Sequence, residues 1–138
     1  VNQRFTIKKN QILRKDKEIK LLFEKGKIIT EFPIKSVFFL LPKESADLNK
    51  TLLPSFKVMF IVPKKYIRKS ARRNRIKRKM KESFRLLQHN LKIPPHHQYL
   101  LAFIYISKEY SEPQEKQINN QIAAIIHQLN EMNLTQNA

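Results

Sequence analysis

Apolar residues recur along this chain in two different periods. From Asp16 the segment DKEIKLLFEKG sets Ile19, Leu22 and Phe23 at i, i+3 and i+4, which predicts a short amphipathic helix. Asp16 reads as its N-cap and Gly26, the only glycine, as its stop. Between Pro33 and Pro42 the run PIKSVFFLLP has strand length and is rich in Val and Phe, with the polar loop KESADLNKTLLP behind it. A second run, SFKVMFIVP, follows directly. Two extended runs joined by such a loop predict an antiparallel pair, with Val58, Phe60 and Val62 on one face and Lys57, Met59 and Ile61 on the other.

The period then returns to that of a helix. With Ile76 at zero on a helical wheel, Met80, Ser83, Phe84 and Leu87 fall within about 80° of it, while Arg75, Arg78, Lys81 and Arg85 fall opposite. The segment around ARRNRIKRKMKESFR is therefore an amphipathic helix with a narrow apolar seam and a cationic outer face. After KIPPHH, the run QYLLAFIYIS is the most apolar strand candidate and is expected to be central. Ser111 then caps a last helix entered through Pro113, its buried stripe marked by Ile118, Ile122, Ile125, Ile126 and Leu129. The predicted order is helix, strand, strand, helix, strand, helix. The expected fold class is α+β: a single-domain two-layer sandwich in which a small mixed sheet packs against helices. Residues 1–14 form a basic arm that Phe5, Ile7, Ile12 and Leu13 anchor, residues 15–130 the domain, and residues 131–138 a frayed polar tail.

Charge changes the picture from fold to partner. The chain carries 28 Lys and Arg against 11 Asp and Glu, a formal net charge of +17 on 138 residues, which costs self-repulsion and signals a polyanionic partner. Seven of those cations lie in the ten positions from Arg72 to Lys81, and no acid interrupts the stretch from Lys64 to Lys81. A face that served solubility alone would mix signs, whereas adjacent cations repel unless phosphates neutralise them. Arginine dominates, and its planar fork suits bidentate phosphate contact. A basic-zipper protein would continue such a helix into heptads, but this one ends before IPP, so RNA is favoured over DNA.

Several other chemistries find no support. The chain has no Cys, which removes disulfides, thiolate metal sites and a thiol nucleophile. His96 and His97 are adjacent in a proline loop while His89 and His127 fall on different helices, so no His-x-x-x-His metal pair exists. One glycine excludes a glycine-rich phosphate loop, and the acids show no acid/base spacing. No catalytic residue, metal ligand or bound cofactor is therefore assigned to the chain. No run approaches the length of a membrane span, and the N-terminus lacks the apolar core of a signal peptide, so no membrane partner and a cytoplasmic location are expected. A start at Val1 leaves room upstream for an initiator Met.

The string VPKKYIRKSARRNRIKRKMKESFRL, residues 62–86, resembles the signature of the protein subunit of bacterial ribonuclease P, in which a strand ends in paired lysines and a helix carries RNRIKR. The helix ending LLFEKGK resembles that family's opening helix, and the apolar strand and final helix come in the family's order; the resemblance covers about residues 10 to 130. It implies a ribonucleoprotein whose RNA subunit carries the catalytic magnesium ions and cuts the 5′ leader from precursor tRNA. The chain's partners would be that RNA subunit and precursor tRNA, with no obligate protein partner. The implied fold is the family's sandwich, including a left-handed strand-helix-strand crossover against the usual right-handed rule.

Carried over by position, Arg73, Asn74, Arg75, Lys77 and Arg78 match the central motif and are expected to face the RNA subunit, flanked by Arg68, Lys69, Arg72 and Lys81, while Ile76 faces the core. Lys64 and Lys65 match the paired lysines that reach RNA and leader, although each also reads as an ordinary surface lysine. Phe23 matches the aromatic that stacks on a leader base, which tolerates any sequence because every base has a π face. A lone helical Phe reads equally well as core. The companion aromatic one turn earlier is Ile19 here, a departure that narrows the stacking surface. On the second strand the family's small or hydroxylated cleft positions are Met59 and Ile61, so leader contact is expected to lean on Lys35, Lys57, Val37 and Phe39. A structural ribosomal or ribosome-assembly protein would share the small, basic, cysteine-free composition. What separates the two is the ordered pairing of KK with RNRIKR after a strand. A free-standing nuclease, the third alternative, would cleave without any added RNA.

Overall fold

The computed structural model describes residues 6–42 and 55–137. Phe5 and the polar loop from Lys43 lie outside the described residues. The chain folds as α1 (Asp16–Lys25), β1 (Lys27–Glu31), β2 (Ile34–Pro42), β3 (Phe56–Ile61), α2 (Ser70–Leu87), β4 (His97–Tyr105) and α3 (Glu112–Asn137).

Helix α1 starts one residue earlier than its pattern suggests. Lys15 is the N-cap position and gives no side-chain bond, so Asp16 is the first helical residue, where its carboxylate favours the positive end of the helix dipole. Gly26 ends the helix because of space, not because of a left-handed turn. Its backbone is extended, and a Cβ there would lie 2.3 Å from the Leu22 carbonyl oxygen and 2.9 Å from Val37 Cγ1. Only glycine lets the chain turn this closely from α1 into the sheet.

The sheet has four strands in the order β1-β2-β4-β3, antiparallel except for the parallel pair β3 and β4. Two expectations change here. Strand β1, absent from the sequence reading, forms a tight hairpin with β2 through Phe32 and Pro33. It buries only Ile29, so its letters carry no alternation to detect. The antiparallel pair expected of β2 and β3 does not form, because β4 lies between them. Every residue of β4 from Gln98 to Tyr105 is buried, and a strand apolar on both faces is stabilised most at the sheet's centre. β2 and β3 still run in opposite directions, each bonded to β4.

One face of the sheet presents Phe56, Val58, Tyr99, Leu101, Phe103 and Tyr105 to α2 and α3. Ile76, Met80 and Phe84 of α2 are fully buried against it, as the wheel predicts. Phe84 meets Phe56 edge-on at 5.2 Å and Phe103 at 5.3 Å, and each such aromatic pair adds about 0.5–1.5 kcal/mol beyond its buried area. The other face carries Val37, Leu100, Ala102 and Ile104, and α1 covers it through Leu22. The arm settles on the edge of β3, where Ile12 bridges Val58 and the Leu13 N–H donates to the Val58 carbonyl at 2.9 Å.

Helix α3 opens at Ser111, whose N–H donates to Gln114 Oε1 at 3.1 Å and whose carbonyl accepts the Glu115 N–H at 3.0 Å. The helix continues to Asn137, past the point where polar letters suggest a frayed tail. Amides explain the difference. Asn133 donates to the Tyr99 hydroxyl at 2.7 Å and Asn130 to the Asn90 carbonyl at 2.8 Å, so polar side chains tie this end down.

Candidate nucleic-acid interface

The apolar seam of α2 fixes which way its cations point. With Ile76, Met80 and Phe84 buried, Arg72, Asn74, Arg75, Lys77, Arg78 and Lys81 are all exposed along the opposite side. They border two grooves. Arg72, Arg75 and Lys79 face the start of α3 across a groove of about 560 Å³. Lys77, Arg78 and Lys81 rim a smaller one, about 280 Å³, whose floor is Ile12, Met59 and Phe60. Arg75 leans toward α3, where its Nη2 lies 3.4 Å from Glu115 Oε2.

Arg73 behaves differently from the rest of its motif. It is half-buried, and its Nη1 donates to the carbonyls of Ile67 at 3.1 Å and Arg68 at 2.6 Å. It thereby fastens α2 to the turn that presents Lys64 and Lys65. That turn is built on Pro63, whose carbonyl accepts the N–H groups of Tyr66 and Ile67. Lys64 and Lys65 are exposed, with Lys65 Nζ 5.1 Å from the Tyr66 ring centroid. Arg68 and Lys69 are exposed just before the helix. Tyr66 is an aromatic of this surface that the sequence analysis did not single out, although its place inside KKYIRK was the available signal.

Around α1 the expected leader residues separate. Phe23 is 45% exposed, whereas Leu22 beside it is fully buried. Ile19 is half-buried and packs with Phe39, Met59 and Ile61 on the sheet face under α1. Lys35 is half-buried on the same face. Two residues are corrected. Val37 is only 5% exposed, sealed beneath the end of α1, and offers no surface to a ligand. Lys57 is paired with Glu18 at 3.0 and 3.1 Å, with side chains only 13% and 19% exposed, so its ammonium ties α1 to β3. Glu18 lies one position before Ile19 and on the side of α1 that faces β3, a relation only the fold reveals.

Where β4 leads into α3, the Tyr105 hydroxyl donates to the Glu109 carbonyl at 2.5 Å, and burial pushes its pKa up to about 12. Burial also pushes the Tyr110 hydroxyl up. Both stay neutral at any pH that RNA tolerates. Among the described residues no three His, Cys, Asp or Glu side chains are gathered closely enough to hold a metal ion. No helix among them is long and apolar enough to cross a membrane.

A four-stranded mixed sheet backed by two helices, one presenting a solvent-facing ridge of arginine and lysine, defines a small RNA-binding α+β domain. Solved structures with the same fold include the RNase P protein of Staphylococcus aureus, 17% identical with a TM-score of 0.61 over 85% of this chain and 93% of that one. The RNase P protein from Thermotoga maritima is 15% identical with a TM-score of 0.59 over 83% and 94%. A sequence comparison with curated proteins finds no match. Residues 7–130 match the Ribonuclease P family, and the chain belongs to it, as a bacterial ribonuclease P protein subunit involved in tRNA 5′ processing.

Proposed function

We propose that the chain works inside a ribonucleoprotein, binding the ribonuclease P RNA subunit along α2 and the 5′ leader of precursor tRNA beside α1. The observation that carries this reading is the division of α2 into a fully buried apolar seam and an exposed cationic ridge. A ridge of that kind gains most from phosphates, which also release their counterions. In this reading, which rests on the family match, catalysis belongs to the RNA subunit with its magnesium ions and the chain supplies binding surface. On the other side of the sheet, exposed Phe23 with half-buried Lys35 and Phe39 gives a leader one stacking ring and one cation.

Reconstitution tests the reading. The purified chain, a bacterial ribonuclease P RNA and precursor tRNA are combined over a magnesium series. The chain is expected to lower the magnesium needed for leader removal and to tighten precursor binding. If it does neither, the reading is wrong.

A further inference from the structure

The groove between α2 and the start of α3 holds four cations, Arg72, Arg75, Lys79 and Lys116, and two carboxylates, Glu112 and Glu115. Each carboxylate sits against a cation. Glu115 Oε2 lies 3.4 Å from Arg75 Nη2, and Glu112 Oε1 lies 3.3 Å from Lys116 Nζ. Neither pair is tight or dry, because Arg75 is 67% exposed and Lys116 75% exposed. Pairs of that kind contribute little to stability and exchange readily. Arg72 and Lys79 have no carboxylate at ion-pair distance among the described residues. A phosphodiester entering here would meet two unpaired cations and one guanidinium held only by a single long contact. It offers that guanidinium a better bidentate match than one distant carboxylate oxygen does.

We propose that this groove is a second phosphate-binding lobe of the RNA interface, in which the RNA backbone displaces Glu115 from Arg75 and Glu112 from Lys116. The proposal rests on the reading that the chain binds the ribonuclease P RNA, and extends that interface from α2 onto α3. The two carboxylates act as internal stand-ins for phosphate. They repel every polyanion, so only an RNA whose backbone fills the groove and engages all four cations offsets the cost. That makes them a device for specificity as well as a brake on affinity. Their place in the first turn of α3, where the helix dipole favours negative charge, holds them at the groove when no RNA is bound.

The test is equilibrium binding of the full chain to a bacterial ribonuclease P RNA over a salt series. The variants are Glu112→Gln with Glu115→Gln, Lys116→Ala, and Lys92→Ala as an exposed lysine beyond the far end of α2. The double carboxamide variant is expected to bind about three- to tenfold more tightly at low salt, with the gain shrinking as salt screens the groove. Lys116→Ala is expected to weaken binding and to reduce the slope of log K against log salt by about 0.7 to 0.9. Lys92→Ala should leave that slope unchanged. Unchanged or weaker binding by the carboxamide variant overturns the proposal, and so does a Lys116→Ala slope equal to that of Lys92→Ala. Lys116 is exposed enough that its variant folds regardless, so a poorly folded carboxamide variant would still leave a decisive measurement. Wild type failing to bind the RNA at all would refute the underlying function. Normal wild-type binding with inert groove variants would refute only the groove.

Discussion

Arg73 turns its guanidinium back onto the carbonyls of Ile67 and Arg68, while Arg78, five residues on, projects into solvent beside Lys77 and Lys81. The two therefore answer mutation differently, though both match the same motif. Arg73→Ala leaves two carbonyls short of a charged donor and frees the turn that carries Lys64 and Lys65, so it should cost about 1–2 kcal/mol of stability as well as some RNA affinity. Arg78→Ala touches no internal partner and should change stability by less than about 0.5 kcal/mol. It should instead weaken RNA-subunit binding and flatten its salt dependence by about one phosphate. Thermal melts run beside binding isotherms check both. Equal melting temperatures for the two variants would mean that the Arg73 contacts contribute nothing. Lys57 teaches the same lesson from the other side of the sheet: its position was legible, its partner Glu18 was not, because a contact across 39 residues depends on how α1 lies over β3.

At the scale of elements, periodicity found what it could measure. The seam of α2 and the stripe of α3 were legible because each buries several residues at helical spacing, and β4 because it is apolar on both faces. Strand β1 and the β2-β4-β3 order were not. The first buries one residue, and the second is a choice of neighbour that depends on all four strands at once. Val37 was placed on the correct face yet assigned to a ligand, since alternation says which side a residue faces and not what covers it. The junction of β4 and α3 supplies a prediction of its own. Tyr105 ionises near pH 10 in an unfolded chain but at about 12 when folded, because burial disfavours the phenolate. Below about pH 10 both states keep the proton and the full stability is present. From about pH 10 to 12 the unfolded state alone loses it, so stability falls across that window. Tyr105→Phe should lose stability at neutral pH with its bond to Glu109, and then fall less steeply than wild type across the same window. Denaturant midpoints measured for both proteins at each pH give the difference and cancel the lysines that titrate nearby.

For the whole molecule, the sheet is a partition. Helix α2 packs on one face and α1 on the other, so the ridge proposed for the RNA subunit and the surface proposed for the leader are built on separate layers of side chains. A molecule arranged in this way should let the two affinities be altered independently, despite a shared net charge of +17 that steers both RNAs toward it. Phe23 and Leu22 test this most directly, because they are neighbours in sequence with opposite exposures. Leu22→Ala empties a fully buried site under α1 and should cost about 2–5 kcal/mol of stability, loosening the leader surface only by unfolding it. Phe23→Ala removes a ring that the fold leaves 45% exposed and should melt close to wild type. Stacking on one base is worth about 1–3 kcal/mol, so the reconstituted Phe23→Ala particle should bind precursor tRNA with a leader roughly tenfold more weakly or worse. Mature tRNA, which has no leader, should bind it as wild type does, and affinity for the RNA subunit should not change. The informative quantity is the ratio of the two tRNA dissociation constants at one salt concentration, since phosphate contacts shift both together. A ratio equal to wild type in a fully folded Phe23→Ala protein would remove the ring from leader recognition and leave that task to Lys35, Phe39 and the lysines of the Pro63 turn.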